Sequence, residues 1–246
     1  MKIDFPIETQ VRLRGLAENT LEFLEDRVHR WNIDLSNVKH GQDTIMTNKK
    51  RNMTRPLFYS QVGAGSPLDG VFPRLYGFET KSVVGVRSDM ITGDHINPPQ
   101  EFGEFYLDKY YGFYTDRDTS ILDVDVLIDC LIFCMKKVKI TKTLNKKLSH
   151  YTPSSQKGKG KGIVTTEKYL WLNEHHEEFK GKLTLMRSGK SITDEEMMML
   201  FSDSPIDGYK EWQINKWGAK SYGYKFGKLE PTTQKQHSQN LFDLVA

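Results

Sequence analysis

The chain has 246 residues and a formal net charge of +3, with 37% hydrophobic and 27% charged residues. Its mean hydropathy of -0.57 is polar, yet 13 Phe, 11 Tyr and 4 Trp supply bulk for a core, which excludes wholesale disorder. No run reaches the ~18–20 apolar residues that cross a bilayer, and Met1 to Pro6 lacks the apolar stretch of a secretory leader, so the expectation is a soluble cytoplasmic protein without membrane partners.

Residues 7–31 predict a helix, because Leu13, Leu16, Leu21, Leu24 and Val28 recur at near-helical spacing. Residues 36–56 read as a polar loop with Lys49, Lys50, Arg51 and Arg55 clustered, and Gly63 to Pro67 as a turn. The stretch Leu75 to Val86 has the β-branched and aromatic content of strands. Pro98-Pro99 suits the first turn of a helix, predicted over Gln100 to Tyr111. Residues 121–135 form the most apolar helical stretch. It carries Cys130 and Cys134 at i,i+4, the spacing of two buried thiols, with no second pair to complete a zinc site. Val138 to Thr141 alternates like a short strand, and Thr143 to His150 opens another helix. Ser154 to Gly162 is a low-complexity Lys/Gly run without the GxxxxGK[ST] pattern of a phosphate loop. Ile192 to Phe201 predicts a helix with Thr193 as N-cap and Glu196 at the capping-box position. The expected fold is α+β, a small mixed or antiparallel sheet with flanking helices. The expected organisation is a helical start and α+β core over 1–153, a basic loop or linker at 154–162 and a mixed C-terminal region over 163–246.

Charge is informative locally. From Glu101 to Asp129 there are eight acids against Lys109 and Arg117. From Lys136 to Gly162 there are nine lysines and no acid: Lys136, Lys137, Lys139, Lys142, Lys146, Lys147, Lys157, Lys159 and Lys161. Uncompensated cations attract a polyanion, and binding by counterion release is salt-sensitive. Nucleic acid is the partner this segment predicts, with a solvated basic face as the bland alternative. Residues 209–228 interleave aromatics with lysines, a composition that serves base stacking but also a buried element, and Tyr222 to Phe226 alternates like a half-buried strand.

Two constellations suit phosphodiester chemistry. In Thr92-Gly93-Asp94-His95-Ile96-Asn97-Pro98, the carboxylate can ligate a divalent cation while the imidazole deprotonates a water. Asp94-His95-Ile96-x-Pro98 resembles the first strand of HNH, or ββα-metal, endonucleases of phages and mobile elements. The resemblance implies a ββα-metal motif, here interrupted by a helical insertion, with His95 as general base, Asp94 as metal ligand and Asn145 orienting the histidine. His150, His175 and His176 compete for a further ligand position. The second constellation is Pro67-Leu68-Asp69 followed ten residues later by Glu79-Thr80-Lys81. It resembles PD-(D/E)XK restriction-type nucleases, which implies Asp69 and Glu79 as Mg²⁺ ligands and Lys81 as the residue that positions the attacking water. The two could share one cleft, with Glu79 and Asp94 on adjacent strands.

Both resemblances point to a metal-dependent endonuclease of phage, mobile-element or restriction type that hydrolyses DNA in the cytoplasm of a bacterial host. Mg²⁺ or another divalent cation would be the cofactor, RNA an alternative substrate and a homodimer the assembly for two-fold cutting. The rival expectation is a non-catalytic nucleic-acid-binding protein on a nuclease-like scaffold.

Overall fold

The computed structural model describes residues 5–30, 55–111, 118–154 and 161–223. Helix α1 spans Ile7–Arg30 and buries Leu13, Ala17 and Leu24 on one face. A π-helical turn, Arg55–Tyr59, runs into Ser60–Val62. Helix α2 (Val71–Tyr76) has Pro73 in its first turn, where no intrahelical N–H is needed. Gly77 closes it at φ 63, in the left-handed region that glycine enters without a Cβ clash. Strand β1 (Phe78–Thr80) is therefore much shorter than the predicted 75–86. It ends where Lys81–Val83 curls into a 3₁₀ turn and the N–H groups of Lys81 and Ser82 donate to the carbonyls of Thr184 and Lys182.

Strand β2 (Ile91–His95) leads to helix α3 (Pro99–Tyr111), which begins at the proline pair as expected. Helix α4 (Val124–Met135) starts at Asp123, whose carboxylate accepts from the N–H groups of Asp125 and Val126. Both cysteines on it are buried and unbridged. Strand β3 (Lys137–Thr141) passes directly into helix α5 (Lys142–Leu148). Helix α6 (Thr165–His175), the hairpin β4 (Leu185–Arg187) and β5 (Lys190–Ser191), helix α7 (Asp194–Leu200) and helix α8 (Tyr209–Trp217) complete the described chain. The predicted Thr193–Glu196 capping box is present in both directions. The 36–56 loop, apart from its last two residues, lies outside the described residues. So do Lys157, Lys159 and the strand expected at 222–226 beyond Gly223.

The fold is mixed α+β. Its five-stranded sheet has the order β2-β3-β1-β4-β5. Strands β1 and β3 are parallel, and the other pairs are antiparallel. Because β4 pairs with β1, segments on both sides of residues 154–162 build one sheet. They share one core as well: Phe102, Phe105 and Phe133 pack with Tyr209 and Trp212 of α8. No helix among the described residues is long and apolar enough to cross a membrane.

Candidate functional site

Alternation along β3 sorts the sheet into two faces. Val138 and Ile140 are fully buried, while Lys137, Lys139 and Thr141 point the other way. Paired residues share a face, and the register joins His95 to Lys137, Gly93 to Lys139 and Glu79 to Lys139. One face across β2, β3 and β1 thus carries His95, Lys137, Lys139 and Glu79. The opposite face carries Asp94, Val138, Phe78 and Thr80. Asp94 and Glu79, expected on adjacent strands in one cleft, are separated twice: β3 lies between their strands, and their side chains leave opposite faces.

His95 sits at the end of β2 with its Nδ1 2.7 Å from the carbonyl oxygen of Cys134. A carbonyl only accepts, so Nδ1 carries the proton and Nε2 keeps its lone pair. Burial, then the neighbouring Lys137 ammonium, pushes the His95 pKa down to about 3, against an upward pull from the Cys134 carbonyl and Asp69. The ring is neutral across the physiological range. Lys137 Nζ donates to Asp69 Oδ1 at 2.6 Å, and the Gly65 N–H donates to Asp69 Oδ2 at 2.9 Å. Burial works against the Asp69 charge, but the hydrogen bonds from Lys137 and Gly65 and the Lys137 charge together hold its pKa below the ordinary carboxylate value. Asp69, Lys137 and His95 therefore form one electrostatic unit drawn from the turn before α2, from β3 and from β2. Glu79 and Lys139 lie one two-residue step along the same face.

The remaining expected residues lie elsewhere. Asp94 accepts from the Tyr169 hydroxyl, and the Lys168 ammonium stands 4.0 Å from it, both on α6 behind the sheet. Asn145 lies on α5, which leaves the Thr141 end of β3, whereas His95 pairs with the Lys137 end. The orienting contact expected from Asn145 is made by the Cys134 carbonyl, a backbone group that no side-chain motif reveals. Lys81 is exposed in the turn after β1. His150 is exposed beyond α5, His175 stacks on Trp171, and His176 contacts the Tyr151 hydroxyl at 2.6 Å.

The basic segment divides. Lys136 is buried and bonded to the Ser202 hydroxyl, and burial holds its pKa down to about 7. Lys137 is buried against Asp69. Neither is a free surface cation, which corrects their expected role in drawing a polyanion to the exterior. Lys139, Lys142, Lys146, Lys147 and Lys161 are exposed, with Lys147 paired to Glu178. In the 209–228 segment, Trp212 is core and Lys216 is enclosed between Trp212 and Trp217. The residue that sequence reading undervalued is Lys137. Its signal was its position just before a buried alternating pair, where a lysine faces the sheet surface rather than a loop.

Among the described residues, no three His, Cys, Asp or Glu side chains gather into a metal-sized group. Asp69 and Glu79 could supply at most two carboxylates to a divalent ion, the rest of the shell coming from water and substrate, as Mg²⁺ accepts at phosphate sites. Comparison with known protein families, with curated proteins and with solved structures finds no match to this chain.

Proposed function

We propose that the chain is a metal-dependent endonuclease that hydrolyses phosphodiester bonds in DNA, with its reacting face formed by His95, Lys137, Asp69, Glu79 and Lys139. The observation that carries the reading is the coupling of His95, Lys137 and Asp69 on one sheet face. There, a histidine with a fixed tautomer stands beside a cation held by a carboxylate. In this reading the His95 Nε2 lone pair accepts the proton of the water that attacks phosphorus. The exposed Lys139 takes up charge on the phosphate, and Asp69 fixes the buried Lys137 ammonium beside His95. Asp69 and Glu79 are the carboxylates that would hold Mg²⁺, whose contribution when bound is to polarise a phosphoryl oxygen. The chain order β2, β3, α5 is strand–strand–helix with α3 and α4 inserted, but Asp94 and Asn145 do not join His95 on the reacting face. Action in the bacterial cytoplasm and a homodimer for double-strand cutting belong to the same proposal.

The test is cleavage of supercoiled plasmid and of single- and double-stranded oligonucleotides, DNA and RNA, with Mg²⁺ or EDTA. His95→Ala should lower the rate by about 10²-fold or more, as loss of a general base does. Asp69→Asn and Glu79→Gln should lower it too. If Asp69→Asn leaves cutting unchanged in folded protein, Asp69 is not the metal ligand and this site fails. A second reading, a non-catalytic binder, draws on the exposed Lys139, Lys142, Lys146 and Lys161 and on the weak basicity of an imidazole held near 3. Salt-sensitive binding by wild type without cleavage of any substrate would establish it.

A further inference from the structure

At the far end of β3 from His95 lies a pocket of about 370 Å³, within the size range of small-ligand sites. Its lining includes Ser82, Thr141, Thr143, Lys147, Lys182 and Glu178. Two ammonium groups face one carboxylate, leaving one excess positive charge. Glu178 is paired to Lys147, whereas Lys182 Nζ donates to the Glu178 backbone oxygen at 2.9 Å, so the two ammonium groups share one carboxylate. Among the described residues the hydroxyls of Thr141 and Thr143 have no hydrogen-bond partner, so both can donate to an oxyanion. Ser82 is fixed by the Thr80 hydroxyl at 2.6 Å and by the Thr141 N–H at 3.4 Å. A lining that carries two ammonium groups and three hydroxyls beside the apolar Leu144 suits a phosphate with its sugar, the anion meeting the lysines and the sugar the apolar wall.

Position adds to chemistry. Thr141 shares its sheet face with Lys139 and Lys137, and β3 spans about 13 Å from Lys137 to Thr141 at ~3.3 Å per residue. We propose that this pocket seats a backbone phosphate of the same nucleic-acid strand whose scissile phosphate lies over His95 and Lys137, the exposed Lys139 bridging the two positions. The proposal rests on the nuclease reading of the His95 face and adds to it a strand path, along β3 toward α5.

The experiment measures the affinity of a labelled single-stranded oligonucleotide in EDTA at several salt concentrations, together with kcat and KM for cleavage in Mg²⁺. The proteins are wild type, Lys182→Gln, Thr143→Val, and Lys190→Gln as a charge control on β5 at the opposite sheet edge. Each is first matched to wild type in thermal midpoint. Lys182→Gln should weaken binding several-fold, flatten the slope of log K against log salt by about one counterion, and raise KM with kcat unchanged. Thr143→Val should weaken binding without changing the slope, and Lys190→Gln should change neither. An equal effect of Lys182→Gln and Lys190→Gln, or no effect of Lys182→Gln, overturns the pocket while leaving the His95 result standing. Loss of binding in Lys182→Gln, in a protein whose wild type never cleaves, keeps the pocket and removes the nuclease reading. A deoxynucleoside monophosphate that binds in a Lys182-dependent way, without competing with the oligonucleotide, overturns the strand path.

Discussion

Lys216 offers the sharpest test of how the aromatic–lysine segment is used. Its ammonium lies 2.6 Å from Glu104 Oε1 and 2.8 Å from Asp108 Oδ2, with the ring centroids of Trp212 and Trp217 at 4.6 and 4.8 Å. The Lys216 side chain is 6% exposed and that of Asp108 0%. Lys216→Met keeps much of the apolar stem but leaves the Asp108 carboxylate buried without this cation, although the Trp212 Nε1–H still donates to it at 2.8 Å. Breaking a buried pair in this way costs about 3–5 kcal/mol. That is a large share of the ~5–15 kcal/mol that holds a typical domain. Urea unfolding should show the midpoint falling sharply with little change in slope. Adding Asp108→Asn to Lys216→Met should recover part of the loss, since the fully buried carboxylate is then gone and only the less buried Glu104 still lacks the lysine, giving a coupling of about 1–3 kcal/mol between the two positions. Nucleic-acid affinity of the folded variant should be unchanged, because this cation faces inward. A loss below about 1 kcal/mol, or strictly additive effects, would refute the clamp.

Three further outcomes follow from the same geometry. Lys136 titrates near 7 in the folded protein and near 10.5 when unfolded, so the unfolded chain binds more protons between those values. Stability should therefore rise with pH across that window by up to ~1.4 kcal/mol per pH unit, and Lys136→Met should flatten the rise in urea midpoints measured from pH 7 to 10. The His95 imidazole should show no NMR titration step between pH 5 and 8; a step near 6.5 would mean that neither burial nor Lys137 acts on it as described. Thr193→Ala removes the N-cap of α7 and should cost about 1 kcal/mol in urea unfolding, with cleavage unaffected.

The features legible in the sequence were those set by neighbours in the chain. The Thr193–Glu196 capping box, the proline start of α3 and the apolar run of α4 follow from local rules, and each formed where expected. Helix α6 escaped because it has no apolar stripe: Glu167 and Lys168 are buried on it. Among the described residues, Glu167 is bonded by Lys210, Ser221 and the Tyr222 N–H, which lie more than 40 residues away in sequence. The same distance hid the fate of the lysines. Lys216 reads as a surface cation until Glu104 and Asp108 close on it, and Lys137 until Asp69 does. For the candidate site, the sequence supplied the chemically capable residues but not their partition, because residues 69, 79, 95 and 137 meet only through the strand order β2-β3-β1.

That partition bears hardest on Asp94 and His95, neighbours in the chain that a period of two sends to opposite faces. Asp94 faces α6, where it receives the Tyr169 hydroxyl and stands 4.0 Å from the Lys168 ammonium, whose side chain is 2% exposed. Lys168 also acts on the buried Glu101 carboxylate, so the position belongs to a charge network that ties α6 and α3 to the back of the sheet. Asp94→Asn keeps an acceptor for Tyr169 but removes the nearest countercharge of a buried ammonium, and the expected cost is about 1–3 kcal/mol. A loss of cleavage in this variant alone is thus ambiguous between a ligand and a support. Asp94→Asn combined with Lys168→Met separates them, since it removes both charges and should regain stability. If cleavage at a temperature well below the thermal midpoint returns with stability, Asp94 holds the end of β2 in place so that His95 reaches the front. If stability returns and cleavage does not, the Asp94 carboxylate takes part in the chemistry itself, and the division of labour between the two sheet faces is wrong.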